Sequence, residues 1–119
     1  MKILALLCIV ALTAGCTSVS PGGYYWGKYS YTYHDMIKEP SDITTAAHKE
    51  TLRDIIAISA DKNLRVPPGI HAELGNLLAS TNQMNEAVAE YGAEMALYPE
   101  SKVFLEKLIS GQSQGSQDQ

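Results

Sequence analysis

The sequence predicts an all-α fold, a small stack of helices joined by short turns. Three observations carry that expectation. Apolar residues recur at helical spacing in four separate stretches between Leu52 and Ile109. No window shows sustained alternation of apolar and polar residues, so no sheet is expected. Breakers divide the stretches, at Pro40, at Val66-Pro67-Pro68-Gly69 and at Pro99.

The first element is the ambiguous one. Six of the nine aromatic residues lie between Tyr24 and Tyr33. Tyr29, Tyr31 and Tyr33 alternate as in a strand, whereas Tyr29, Tyr33, Met36 and Ile37 fit one face of a helix. The second pattern is preferred, as a short helix ending before Pro40. Next, Leu52, Ile55, Ile56 and Ser59 mark a helix whose start Ser41 or Thr44 could cap, with acidic residues nearby to suit the dipole. It must stop before Val66, because Pro67 denies that residue the helical region. Leu74, Leu77 and Leu78 mark a helix from about Ile70 to Ser80, and Asn82 suits a left-handed turn. Glu86 to Leu97 is expected to be helical, with Ala87, Val88, Tyr91 and Met95 on its buried side. Phe104, Leu105, Leu108 and Ile109 place a last apolar face after Pro99.

The ends of the chain point outside the cytoplasm. Lys2 precedes ten almost purely apolar residues, Ile3 to Leu12, and then small residues up to Gly15. That order is a secretory signal peptide, residues 1–15. The run is too short to be a membrane span, which needs roughly 20 residues. Leu12-Thr13-Ala14-Gly15-Cys16 resembles a lipobox, with Thr13 where Leu is commonest. Cys16 is thus the expected lipidation site, carrying covalent diacylglyceryl and N-acyl chains that hold the protein to a membrane. Acyl chains contribute about 0.8 kcal/mol per buried CH₂, and stable anchoring takes more than one. Thr17 stands where, by the enterobacterial sorting rule, Asp would retain a lipoprotein in the inner membrane. The expected location is therefore the outer membrane, facing the periplasm. Of the two cysteines, Cys8 falls in the removed segment, so no intramolecular disulfide is possible. Residues 16–23 read as a lipidated tether and residues 111–119, all Gly, Ser, Gln and Asp, as a disordered tail. The domain is 24–110. Without Lys2 the chain keeps eight basic and thirteen acidic residues, a net charge of −5, which argues against a nucleic-acid partner.

The middle helices resemble one tetratricopeptide repeat. Leu74, Gly75, Ala87, Tyr91 and Pro99 stand at that repeat's own offsets. Gly75 and Ala87 are small where two helices would cross closely, and Tyr91 would fill the gap to the next helix. His71, Leu78 and Glu94 depart from the pattern. Glu94 is the serious departure, since a charge at a crossing needs a looser contact or a partner. One repeat cannot bury both of its faces alone, so flanking helices must cover it. The resulting expectation is a small right-handed helical stack, one tetratricopeptide-like pair plus flanking helices.

Tyr24-Tyr25-Trp26-Gly27, Val66-Pro67-Pro68-Gly69 and Tyr98-Pro99-Glu100-Ser101 with Phe104 together resemble the bacterial lipoprotein family named domain of unknown function 4810. The resemblance covers about Tyr24 to Ile109. It implies a small helical lipoprotein with no assigned chemistry. The family's genes typically neighbour a lipoprotein similar to the curli secretion channel, which implies a shared envelope assembly.

Chemistry is sparse in the residues themselves. His34, His48 and His71 fall in three different elements with no metal spacing, and each is expected at the surface or half-buried. There is no Gly-x-Ser-x-Gly elbow. No catalytic residue, metal, cofactor beyond the lipid, or small-molecule substrate is expected. Glu86, Glu90 and Glu94 recur every fourth residue as one acidic stripe, a solvated face or a docking strip for a basic segment. Tyr24, Tyr25 and Trp26 could cap the stack, touch the membrane interface or form a protein-binding hot spot. The expected function is a non-enzymatic interaction module of the outer membrane, with partners among envelope lipoproteins or secretion and assembly factors. The alternative is a lipoprotein activator of cell-wall synthesis enzymes. The reach from Cys16 to Tyr24, about 25–30 Å at full extension, is short for that role.

Overall fold

The computed structural model describes residues 23–115, and side chains as far as Gln112. The expected signal peptide, Cys16, most of the tether and the last four residues lie outside the described residues. Within them the protein is all-α, with no strand. Five helices follow in order: α1 (Tyr29–Lys38), α2 (Asp42–Asp61), α3 (Ile70–Ala79), α4 (Met84–Leu97) and α5 (Lys102–Gly115), with a 3₁₀ turn over Pro99–Ser101 before the last.

The aromatic stretch is helical from Tyr29 on. The helix stops before Pro40, whose ring disfavours helical geometry in the residue ahead of it. Ser41 and Thr44 share the start of α2 rather than competing for it. The Ser41 hydroxyl accepts from the Thr44 N–H at 3.1 Å, and the Thr44 hydroxyl accepts from the Ser41 N–H at 3.1 Å. α2 and α3 close in the same way. Asn63 and Asn82 take positive φ, 52° and 60°. The next N–H in each case reaches back five residues, Leu64 to Ser59 at 2.8 Å and Gln83 to Leu78 at 2.9 Å. These are Schellman closures with Asn in the left-handed place. Gly69 (φ 91°) turns the chain into α3 after the two prolines.

Packing is mostly between neighbours in sequence: α1 on α2, α2 on α3, α3 most extensively on α4, and α5 on α4. The core is Leu52 and Ile55 of α2, Val66, then Ile70, Leu74 and Leu78 of α3, Ala87 and Tyr91 of α4, and Leu105 of α5.

Two expected core residues face outward. Val88 is 40 % exposed and Phe104 is 62 % exposed, beside Val103. α4 turns Ala87, Tyr91 and Glu94 inward instead, and Val88 falls just outside that stripe. α5 seats only Leu105 fully, with Leu108 and Ile109 at the margin. Val103 and Phe104 therefore point to the side where no further described helix follows. Residues 111–115 of the expected tail are helical, because α5 continues to Gly115. Gln112 is half-buried, its side-chain amide 3.5 Å from the Tyr91 hydroxyl of α4.

Candidate functional site

The segment before α1 and α1 itself form a ladder of rings. Tyr24 and Trp26 meet edge-on at 6.5 Å, Trp26 and Tyr29 edge-on at 5.5 Å, and Tyr29 and Tyr33 stack at 5.7 Å. Tyr25 and Tyr29 root the ladder in the core. Lys62 places its ammonium 5.3 Å from the Tyr25 ring centre. Tyr24 and Trp26, each 44 % exposed, and Tyr33, 42 % exposed, form its open edge. Beside it is a cleft of about 100 Å³ lined by Tyr25, Gly27, Lys28, Thr51, Asp54 and Ile55, room for a few waters at ≈ 30 Å³ each.

Beneath the ladder lies a polar joint between three helices. His48 is fully buried, not at the surface or half-buried as its isolated place in the sequence suggested. Its Nε2 lies 2.8 Å from Glu73 Oε1. The carboxylate accepts from Nε2, and Nδ1 lies 2.8 Å from the Thr32 hydroxyl on the other side of the ring. The Tyr29 hydroxyl donates to the other Glu73 oxygen at 2.6 Å. Burial, and then this bond, hold the Tyr29 proton far beyond the usual tyrosine range. The order Thr32, His48, Glu73 copies the sequence of contacts in a hydrolytic triad. The Tyr29 and Tyr33 rings lie 5.3 and 5.6 Å from the fully buried imidazole. The cluster joins α1, α2 and α3.

The acidic stripe does not form one surface. Glu86 is exposed and Glu90 half-buried, while Glu94 is only 3 % exposed. Glu90 accepts from Nδ1 of the buried His71 at 2.5 Å. Glu94 turns into the crossing and accepts from the Gly69 N–H at 2.7 Å, with the Ala72 N–H at 3.4 Å. The charge that looked misplaced therefore has a partner, the otherwise unsatisfied N–H groups at the start of α3. The three carboxylates therefore do not share one solvated face: Glu86 alone is exposed.

Of the repeat positions, Leu74, Ala87 and Tyr91 are core, Gly75 faces the Tyr91 ring across α3 and α4, and Pro99 opens the 3₁₀ turn. Next to Pro99 is a seam of residues distant in sequence. The Tyr98 hydroxyl donates to the Val66 carbonyl at 2.6 Å and lies 3.3 Å from the Tyr24 hydroxyl. The Arg65 guanidinium sits 4.2 Å over the Tyr98 ring and donates to the Leu97 carbonyl. No group of three or more metal-capable side chains occurs among the described residues.

A family model described as a domain of unknown function (DUF4810) matches residues 24–108. The chain belongs to this family. No curated protein and no solved structure matches it. The DUF4810 span opens at the ring ladder and contains the His48–Glu73 joint, the Glu94 contacts and the Tyr98 seam. Sequence reasoning singled out Tyr24, Tyr25 and Trp26, but it missed the His48–Glu73 joint, whose partners are 16 to 44 residues apart. One signal was available: His48 stands four residues before Leu52, on the same apolar stripe as Ile55 and Ser59.

The seam makes this DUF4810 domain sensitive to alkali. Burial, and then the contact with Tyr24, push the Tyr98 hydroxyl up to about 12. An unfolded tyrosine ionises near 10. Above pH 10 the unfolded chain releases protons that the native state keeps, so stability falls with rising pH. Tyr29 acts in the same direction. The urea midpoint should decline steadily between pH 10 and 12, and Tyr98→Phe should flatten part of that slope. A wild-type midpoint that holds level to pH 12 would contradict the assignment.

Proposed function

We propose that this protein is a lipid-anchored component of the outer membrane, facing the periplasm, that acts as a non-enzymatic interaction module in an envelope assembly or secretion complex. In this reading α3 and α4 are one tetratricopeptide-like pair, and Cys16 carries the lipid. The partner is a second envelope lipoprotein, of the curli-secretion-channel-like kind that the family resemblance implies.

The observation that carries the reading is the outward pair Val103 and Phe104, 67 % and 62 % exposed on α5. In a repeat stack each helix pair leaves an apolar face for the next one to cover. Here the last described helix keeps two large apolar residues on its outer side, where an aromatic anchor is the kind of group that interfaces favour. The polar clusters support the same reading, because their donors and acceptors are spent on one another between helices.

The test is co-purification from envelope extracts of the acylated protein and of Phe104→Glu. The wild type should recover the same lipoprotein repeatedly, and the variant at least ten-fold less. Phe104 is exposed, so the change should alter stability by no more than about 0.5 kcal/mol. Equal recovery with both proteins, or no reproducible partner, counts against the reading.

A further inference from the structure

We propose that the open edge of the ring ladder, Tyr24, Trp26 and Tyr33 with Ile37, lies on the headgroup layer of a phospholipid bilayer and fixes how the domain sits on its membrane. The inference rests on the lipid-anchor reading of Cys16 and adds an orientation to it.

Four rings run in unbroken contact from Tyr24 through Trp26 and Tyr29 to Tyr33, at 6.5, 5.5 and 5.7 Å. Three of them are more than 40 % exposed, and Ile37, one helical turn beyond Tyr33, is 60 % exposed. Trp26 is braced between Tyr24 and Tyr29, so little side-chain freedom remains to be lost when the edge meets another surface. Tyrosine and tryptophan suit the interfacial layer, because an apolar ring body ends in a hydroxyl or an N–H that stays wet.

The position of the edge names the membrane as its occupant. Tyr24 is eight residues from Cys16 and can lie no farther than about 25–30 Å from it. The ladder is thus the first part of the described fold that a lipid at Cys16 would bring to the surface. Charge is compatible as well. Lys28 and Lys38 are exposed on this stretch and can reach phosphates along their aliphatic stems, while Asp35 and Glu39 balance them. The edge is therefore locally neutral in an acidic chain, which favours a zwitterionic surface over a strongly anionic one.

Trp26 is the sole tryptophan of the chain, so its fluorescence reports on this edge alone. The acylated full-length protein is reconstituted in phosphatidylethanolamine and phosphatidylcholine vesicles, with and without lipids brominated near the headgroup end of the acyl chain. The expected result is a blue-shifted emission, quenched by at least half with the brominated lipid and shielded from acrylamide. The double variant Tyr33→Ser and Ile37→Ser changes exposed positions, retains Trp26, and should lose most of the quenching while keeping its helical circular dichroism. An acylated protein whose Trp26 stays unquenched and open to acrylamide overturns the inference and leaves the anchor intact. An emission unmoved by vesicles but shifted by envelope extract makes the edge a protein-docking surface and also overturns it. A mass for the Cys16 peptide that shows no acyl group removes the anchor, and this inference with it.

Discussion

Gly75→Ala should lower the thermal midpoint of the domain by roughly 5–15 °C. Two effects oppose one another at this site. Alanine is the better helix former, by about 0.5–1 kcal/mol. Against that, a Cβ on Gly75 would lie 2.6 and 2.8 Å from Tyr91 Cε1 and Cδ1 and 3.2 Å from the Ala87 carbonyl oxygen. The ring cannot simply withdraw. Tyr91 is fully buried, and its hydroxyl donates to Asn76 Oδ1 at 2.6 Å on the same helix as Gly75. Over-packing at such a site costs about 1–3 kcal/mol, so the steric term wins. A net loss of about 1–2 kcal/mol moves the midpoint by about 4–8 °C per kcal/mol in a domain of this size. Gly75→Val adds two further carbons at the crossing and should cost more. A scan in which Gly75→Ala melts at or above the wild-type temperature would show that α3 and α4 can separate without loss.

Glu94→Ala should cost about 2–4 kcal/mol, measured by urea denaturation. Its carboxylate is nearly inaccessible to water and accepts from the Gly69 N–H at the start of α3. Truncation strips that buried donor of its acceptor, at about 1–3 kcal/mol, and leaves a void where the side chain packed. Glu94→Gln keeps one oxygen for Gly69 and nearly the same volume, while giving up the charge that suits the helix terminus. The expected order of stability is wild type, then Gln, then Ala. Wild-type stability in Glu94→Ala would mean that the α3 N–H groups are satisfied by water and the carboxylate is incidental.

Much of the fold was legible because it is local. Ser41, Thr44, Asn82 and the run Val66 to Gly69 act within a few residues of themselves, and each does in the structure what its chemistry suggests. Apolar spacing placed the helices for the same reason. It misplaced Val88 and Phe104 because periodicity marks a stripe without saying how much of it a neighbour covers, and among the described helices α5 packs mainly on α4. The joints were illegible for the opposite reason. Tyr29, His48 and Glu73 come from three helices, and only the assembled fold brings Tyr29 and His48 within 3 Å of Glu73. Glu94 lies between these cases. Its misfit with the repeat pattern was visible, and so was the need for a partner, but the partner is a backbone N–H that no side-chain pattern can reveal.

The Tyr24–Tyr98 contact bears on how the domain responds to mechanical force. A chain pulled at Gly23 delivers tension first to Tyr24, whose hydroxyl meets Tyr98 at the far end of α4. Tyr98 is in turn tied to Val66, between α2 and α3. The pull is therefore shared among three distant parts of the chain before it can begin to peel α1 from α2. A single hydroxyl contact adds only about 1 kcal/mol, but it sits where a rupture would start. In the lipid-anchored reading proposed above, drag acts at that end first, and the Tyr24–Tyr98 contact is what it meets.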